Sequence, residues 1–334
     1  MMFRRTLTSD ATQNNRIGSI MTAAFQVGSA RIMRIPELHW DNADPQKLYP
    51  DIDAEALAVF GSALTSGSFN PVTGTLSQGT HAWLVQVAGL NLLIDTATGN
   101  DKPLPAAPAL DHLHTPFLEH LAAAGVQPEQ VNVVLHTHIH ADHVGWNTRL
   151  HHGKWVPTFP KARHIFSAIE ARYGASNDRI DPAPDLPPEI LGRPDHHPLP
   201  RVYADSMLPV IEAGLGEAII IDGQEVLAGF SFHPTPGHSI DHASIRLRSD
   251  GAEAWFTGDV MHHPLQVYRP DLRSVYCEFV QPAERSRRWF LEEAADTGSL
   301  CFTSHFAETG AGYVRRRAAG FAWEFAQSDA EDAK

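Results

Sequence analysis

Hydrophobic and polar positions along the chain follow two periods. Residues 80–87 (Thr80-His81-Ala82-Trp83-Leu84-Val85-Gln86-Val87) and 90–95 (Leu90-Asn91-Leu92-Leu93-Ile94-Asp95) are rich in aliphatic and aromatic side chains. They flank Ala88-Gly89, which predicts two strands joined by a tight turn. Residues 109–124 switch to helical spacing, with Leu110, Leu113, Phe117, Leu118 and Leu121 on one face and Gly125 as the stop. A short buried strand at 131–135 then runs directly into His136-Thr137-His138-Ile139-His140-Ala141-Asp142-His143. Further strands are expected at 218–221, 226–232, 243–247, 254–257 and 300–303, and helices at 204–213 and 282–295. Residues 150–201 carry many Pro, His and Asp, including Pro182, Pro184, Pro187 and Pro188, and read as a loop-rich excursion with one short helix. Strands alternating with helices, without a repeat, predict a layered α/β protein built on one core.

Composition narrows the function. The chain has 334 residues, 43% hydrophobic and 19% charged, which suits a packed globular domain rather than a disordered chain. A net charge of −13 with no basic strip excludes sequence-independent nucleic-acid binding, and a small-molecule substrate is expected instead. Residues 1–25 are polar and mixed, without the apolar stretch of a secretory signal, and no run reaches transmembrane length. No membrane partner and a cytoplasmic location are therefore expected. Residues 1–29 read as a tail or arm able to support a homodimer, and 30–334 as a single catalytic domain. Cys277 and Cys301 cannot form a disulfide framework and are read as core residues. What composition leaves unexplained is histidine, with 20 copies.

Those histidines cluster with carboxylates at strand ends. His138, His140, Asp142 and His143 place four metal-type donors within six residues, immediately after a buried strand. Thr235-Pro236-Gly237-His238, Phe256-Thr257-Gly258-Asp259 and Thr303-Ser304-His305 each put one further donor just beyond a predicted strand. Strand termini on one edge of a sheet can bring such donors together. In this order, from about Gly79 to His305, the set resembles the metallo-β-lactamase superfamily, with methyl parathion hydrolase and the N-acyl-homoserine lactonases as the closest look.

The resemblance implies a four-layered αββα sandwich with its site at the edge between two β-sheets. It implies two divalent metal ions, zinc foremost. His138, His140 and His238 would bind one, Asp142, His143 and His305 the other, and Asp259 would bridge them. Asp95 would support the ligand loop from behind without ligating. The implied activity is hydrolysis of a small ester or lactone by a metal-bridging hydroxide, with Asp142 shuttling the proton. The alternative is a phosphotriesterase of the methyl parathion hydrolase kind or a hydrolytic dehalogenase of chloroaromatics. Small lactonase relatives carry a tyrosine three residues after the bridging aspartate; here that position is His262, taken as a catalytic, substrate-facing residue. His263, Trp146, Trp155 and Phe159 are expected to line the substrate pocket, and His136 to be buried and structural.

Overall fold

The computed structural model describes residues 23–61, 63–65, 67–180 and 194–328. The expectations for 1–22, for Pro182 to Pro188 and for the last six residues lie outside them. Two mixed β-sheets face one another. The first runs in the order Ala24–Val27, Ala30–Ala43, Thr75–Val87, Leu90–Ile94, Val133–Leu135, Arg163–Ser167, Gly216–Ile219, with Phe69–Asn70 paired alongside Thr75–Val87. The second runs Glu225–Leu227, Phe230–Pro234, Ala243–Ser249, Ala252–Phe256, Leu300–Phe302, Ala311–Arg317, Gly320–Phe325.

Both faces of each sheet are covered, because alternate residues of a strand point to opposite sides. Ile32, Trp83, Val85, Leu92, Ile94, Val133 and Leu135 of the first sheet meet Phe230, Phe232, Ile245, Leu247, Phe256 and Phe302 of the second. The intervening positions Met33, Ile35, Leu84, Leu93 and Val134 turn outward onto Phe117 and Leu121 of the helix Phe117–Ala123. On the far side, Trp255, Cys301 and Val314 receive Phe290, Leu291 and Ala294 of the helix Val280–Thr297. Each buried phenylalanine or leucine in these layers contributes roughly 1.5–3 kcal/mol relative to exposure. The layers are α, β, β, α, as the resemblance implied. Among the described residues no helix is long and apolar enough to cross a membrane.

Several expected elements shift. The helix expected over 109–124 begins only at Phe117, because Pro116 disfavours helical geometry in the residue before it and 109–112 form turns instead. The excursion at 150–201 is interrupted by Arg163–Ser167, a strand in the interior of the first sheet between Val133–Leu135 and Gly216–Ile219. The boundary expected at residue 29 falls inside a hairpin, since Ala24–Val27 pairs antiparallel with Ala30–Ala43. Phe25 and Val27 of that strand belong to the core between the sheets. The hairpin Ala311–Arg317 with Gly320–Phe325 completes the second sheet and had no counterpart in the pattern.

For the site, what matters is direction. Leu90–Ile94, Val133–Leu135 and Arg163–Ser167 run parallel, as do Ala252–Phe256 and Leu300–Phe302. Their carboxyl ends therefore point to one edge, where open α/β sheets place their ligands.

Candidate metal centre

Each donor reaches the shared edge from a strand end. Asp95 leaves Leu90–Ile94 in the left-handed region (φ 57°), with its N–H bonded to the Leu135 carbonyl at 3.0 Å. Its carboxylate accepts from the Thr137 N–H (2.9 Å) and hydroxyl (2.8 Å), which folds the 136–143 loop over it. It also lies 2.9 Å from His143 Nδ1. A carboxylate on Nδ1 leaves Nε2 as the free donor of that ring. Asp95 thus props the loop from behind.

Asp259 stands at the middle of the cluster. Its Oδ1 lies 3.2 Å from His143 Nε2, and its Oδ2 lies 2.9 Å from His305 Nε2, 3.3 Å from His238 Nε2 and 3.4 Å from His262 Nε2. The short turn that carries it depends on Gly258, at φ +54°, where a Cβ would sit 2.4 Å from His242 Nε2. His242 in turn accepts the Asp259 N–H at 2.8 Å. On one side of Asp259 the donor atoms of His138, His140 and His238 lie within 4.8 Å of one another, and on the other so do those of Asp142, His143 and His305. His138, His143 and Asp259 form a third such group that joins the two.

Several of the polar atoms facing this point have no hydrogen-bond partner. His138 Nε2, His143 Nε2 and Asp259 Oδ1 are buried and make no hydrogen bond, although leaving buried polar groups unpaired costs about 1–3 kcal/mol each. The outward nitrogens are engaged: His138 Nδ1 with the Thr137 hydroxyl (3.0 Å), and His305 Nδ1 with the Gly79 carbonyl (2.9 Å). Imidazole and carboxylate donors with satisfied backs and bare fronts fit a pair of divalent cations.

The electrostatics agree. Burial would raise the Asp259 carboxyl, but the imidazoles of His143, His305 and His238 hold it well below the usual range. Burial lowers His143, yet Asp259, Asp95 and Asp142 carry it well above an ordinary imidazole. His138 and His238 are pushed down, first by burial. The cluster concentrates negative charge that only bound cations or protons can offset.

The expected pocket residues fall elsewhere. Trp146 is buried, stacks on Phe117 with ring centroids 5.5 Å apart, and donates its indole N–H to Glu37 at 2.7 Å. Phe159 is fully buried in the same outer-layer core. Trp155 takes the Lys102 ammonium over its ring at 3.6 Å, while that amine bonds the Thr148 hydroxyl and the Asp205 carbonyl. His263 is buried, with Nε2 on the Ser68 carbonyl (3.0 Å) and Nδ1 accepting from the Leu265 N–H (3.1 Å). All four are held by packing or by bonds to residues outside the donor cluster. His262 does face the cluster, 4.9 Å from His238 and stacked on His305 at 5.6 Å, with neither ring nitrogen hydrogen-bonded. His136 is buried 3.9 Å from Asp95, a place consistent with a structural role.

Sequence reasoning missed Tyr276, Glu278, Glu170 and His242. The Tyr276 ring lies 5.6 Å from His262 and is 52% exposed, which places it at the mouth of the site. Glu170 holds the loop between His138 and His140 by accepting the Ile139 N–H. Glu278 and Glu170 meet the site through partners 138 and 31 residues away, and His242, four residues after His238, belongs to no local motif.

The sequence model of the metallo-beta-lactamase superfamily matches residues 78–305, most of the chain and every donor described above. The chain belongs to the metallo-beta-lactamase superfamily. Solved structures agree on the fold. A hydrolase of the beta lactamase superfamily, AbOPH, is 22% identical with a TM-score of 0.72, covering 92% of this chain and 98% of its own. AidC, a dizinc quorum-quenching lactonase in complex with a product, is 18% identical at a TM-score of 0.69 with the same coverage. A probable metal-dependent hydrolase from Staphylococcus aureus is 16% identical at a TM-score of 0.66, covering 92% of this chain and all of its own. No curated protein sequence matches the chain.

Proposed function

We propose that this superfamily member is a dinuclear metal-dependent hydrolase, with zinc as the metal and a small ester or lactone as the substrate. The observation that carries the reading is Asp259, a buried carboxylate shared between two donor sets, with Oδ1 bare and Oδ2 within reach of His305 and His238. Bound divalent ions would supply a Lewis acid and a water acidic enough to lose its proton near neutral pH. His138, His140 and His238 would hold one ion, and Asp142, His143 and His305 the other.

The chain's own groups do the rest. Asp95 fixes the His143 ring through Nδ1, so that Nε2 faces the centre. Asp142, whose side chain is 22% exposed beside His305, is the carboxylate best placed to accept a proton and pass it to solvent. His262 offers two unengaged ring nitrogens to the reacting carbonyl, and Tyr276 covers them from the solvent side. The similarity to a dizinc lactonase supports the ester or lactone reading over the phosphotriester and chloroaromatic alternatives.

The test is metal analysis with a substrate panel. Freshly purified protein is expected to hold about two divalent ions per chain and to turn over lactones or aryl esters faster than phosphotriesters or chloroaromatics. Asp259→Asn and His305→Ala should each lower that activity by at least the ~100-fold that loss of an outer-shell partner can cost, with unchanged circular dichroism. Protein without stoichiometric metal, or full activity in either variant, would refute the proposal.

A further inference from the structure

Residues 274–279 run across the back of the three-histidine half of the centre. Backbone bonds pin this strap: Val275 N–H to the Leu48 carbonyl (3.1 Å), Glu278 N–H to that of His238 (2.9 Å), Phe279 N–H to that of Gly237 (2.8 Å). Three consecutive side chains then meet three different histidines. Tyr276 covers His262, the Cys277 sulfur lies 3.9 Å from His238 Nδ1, and Glu278 Oε1 lies 2.6 Å from His140 Nε2.

The Glu278 contact differs from the others in kind. His138 and His238 have their outward Nδ1 engaged and face the centre through Nε2, whereas His140 is reversed. Its Nε2–H donates to Glu278, which leaves the Nδ1 lone pair 2.8 Å from His238 Nε2. The His140 ring is 14% exposed, more than those of His143, His238 and His305, and its backbone is extended at the start of the short helix Ala141–Val144. The ring packs edge-on against those of His138 and His238, with centroids 4.6 Å away in each case, and the bond to Glu278 selects which of its nitrogens faces them. Glu278 itself is buried, and its Oε2 has no partner. A carboxylate so placed is costly unless a charge-assisted bond repays it, and His140 is the donor that does. Glu170 borders the same recess, but its oxygens are taken by the Ser239 hydroxyl and by the Asp241 and Ile139 N–H groups. Glu170 holds the loop backbone, and Glu278 holds the ring.

We propose that Glu278 is the positioning residue for the three-histidine ion site: by fixing the His140 ring with Nδ1 inward, it sets the affinity of that half of the centre. This rests on the dinuclear reading above. Asp95 plays the matching part for the other half, through His143.

The experiment uses the full chain, stripped and titrated with zinc against a competing chelator. Wild type should show two binding steps. Glu278→Ala should weaken one of them about 10- to 100-fold and leave the other unchanged, while Glu278→Gln, which keeps an acceptor, should stay within a few-fold of wild type. Long-range nitrogen–proton spectra of the zinc-loaded wild type give a second readout that needs no variant. His140 should carry its proton on Nε2, and His138 and His238 theirs on Nδ1. Two undisturbed steps in Glu278→Ala, equal weakening of both, or a His140 proton on Nδ1 would overturn the assignment of Glu278 alone. A wild type that binds no zinc would overturn the dinuclear reading itself.

Discussion

Glu37 shows how much a single buried side chain decides. Its carboxylate accepts the N–H groups of Thr98 and Gly99 and the indole N–H of Trp146, at 2.8, 3.0 and 2.7 Å. Burial pushes its acidity down, and those donors work against that push. Trp146 is therefore a prop beneath the loop that follows Asp95. Trp146→Phe keeps the stack on Phe117 but removes the bond to Glu37, and should cost about 1–3 kcal/mol of stability in urea titrations. The KM for the preferred substrate should not move; a clear rise would place Trp146 in the pocket. At this scale the seven expected donors were legible because each sits in a short motif at a strand end. Glu37, Glu278 and His242 were not, because their partners lie 61, 138 and 17 residues away in the chain.

The elements teach a related lesson about turns. Gly258 ends the strand Ala252–Phe256 with positive φ, and a methyl group there would press on His242 Nε2 at 2.4 Å and on Thr137 Cβ at 2.9 Å. Strain and overpacking together predict a loss of about 2–4 kcal/mol for Gly258→Ala. Because Asp259 is the next residue, metal affinity should fall with the melting temperature; a variant with native melting and native metal binding would contradict the role given to this turn. Hydrophobic periodicity located the strands that carry donors, since their runs are long or bounded by clear turns. It failed where composition masked geometry. Arg163–Ser167 is only five residues long and lies among prolines and histidines, yet it is buried by neighbours on both sides. The 109–124 pattern was truly helical only after Pro116, since a proline's effect on its predecessor outweighs leucine spacing.

For the whole molecule, acid is the relevant stress. Burial pushes His136 and His263 down to about 4, from the 6.5 of an exposed imidazole. The unfolded chain takes up protons at these residues below pH 6.5, and the folded chain does so only near 4. The stability they contribute is thus complete above pH 6.5 and lost as pH falls towards 4, on the order of 3 kcal/mol each at most. Metal-free protein should show a melting temperature that declines across this window, and a flat profile would contradict the burial of the pair. The sequence pattern itself reached only a layered α/β protein. The αββα layering came through the family resemblance that the donor motifs carry, whereas the first sheet's opening strands and the closing hairpin had to come from the structure. The donors come from both sheets, Asp142 and His143 from the first and Asp259 and His305 from the second. Any ion shared by them works as a removable cross-link that closes very long chain loops. Like a disulfide, it would act largely by denying conformations to the unfolded polypeptide, so a site built for chemistry also fastens one half of the sandwich to the other.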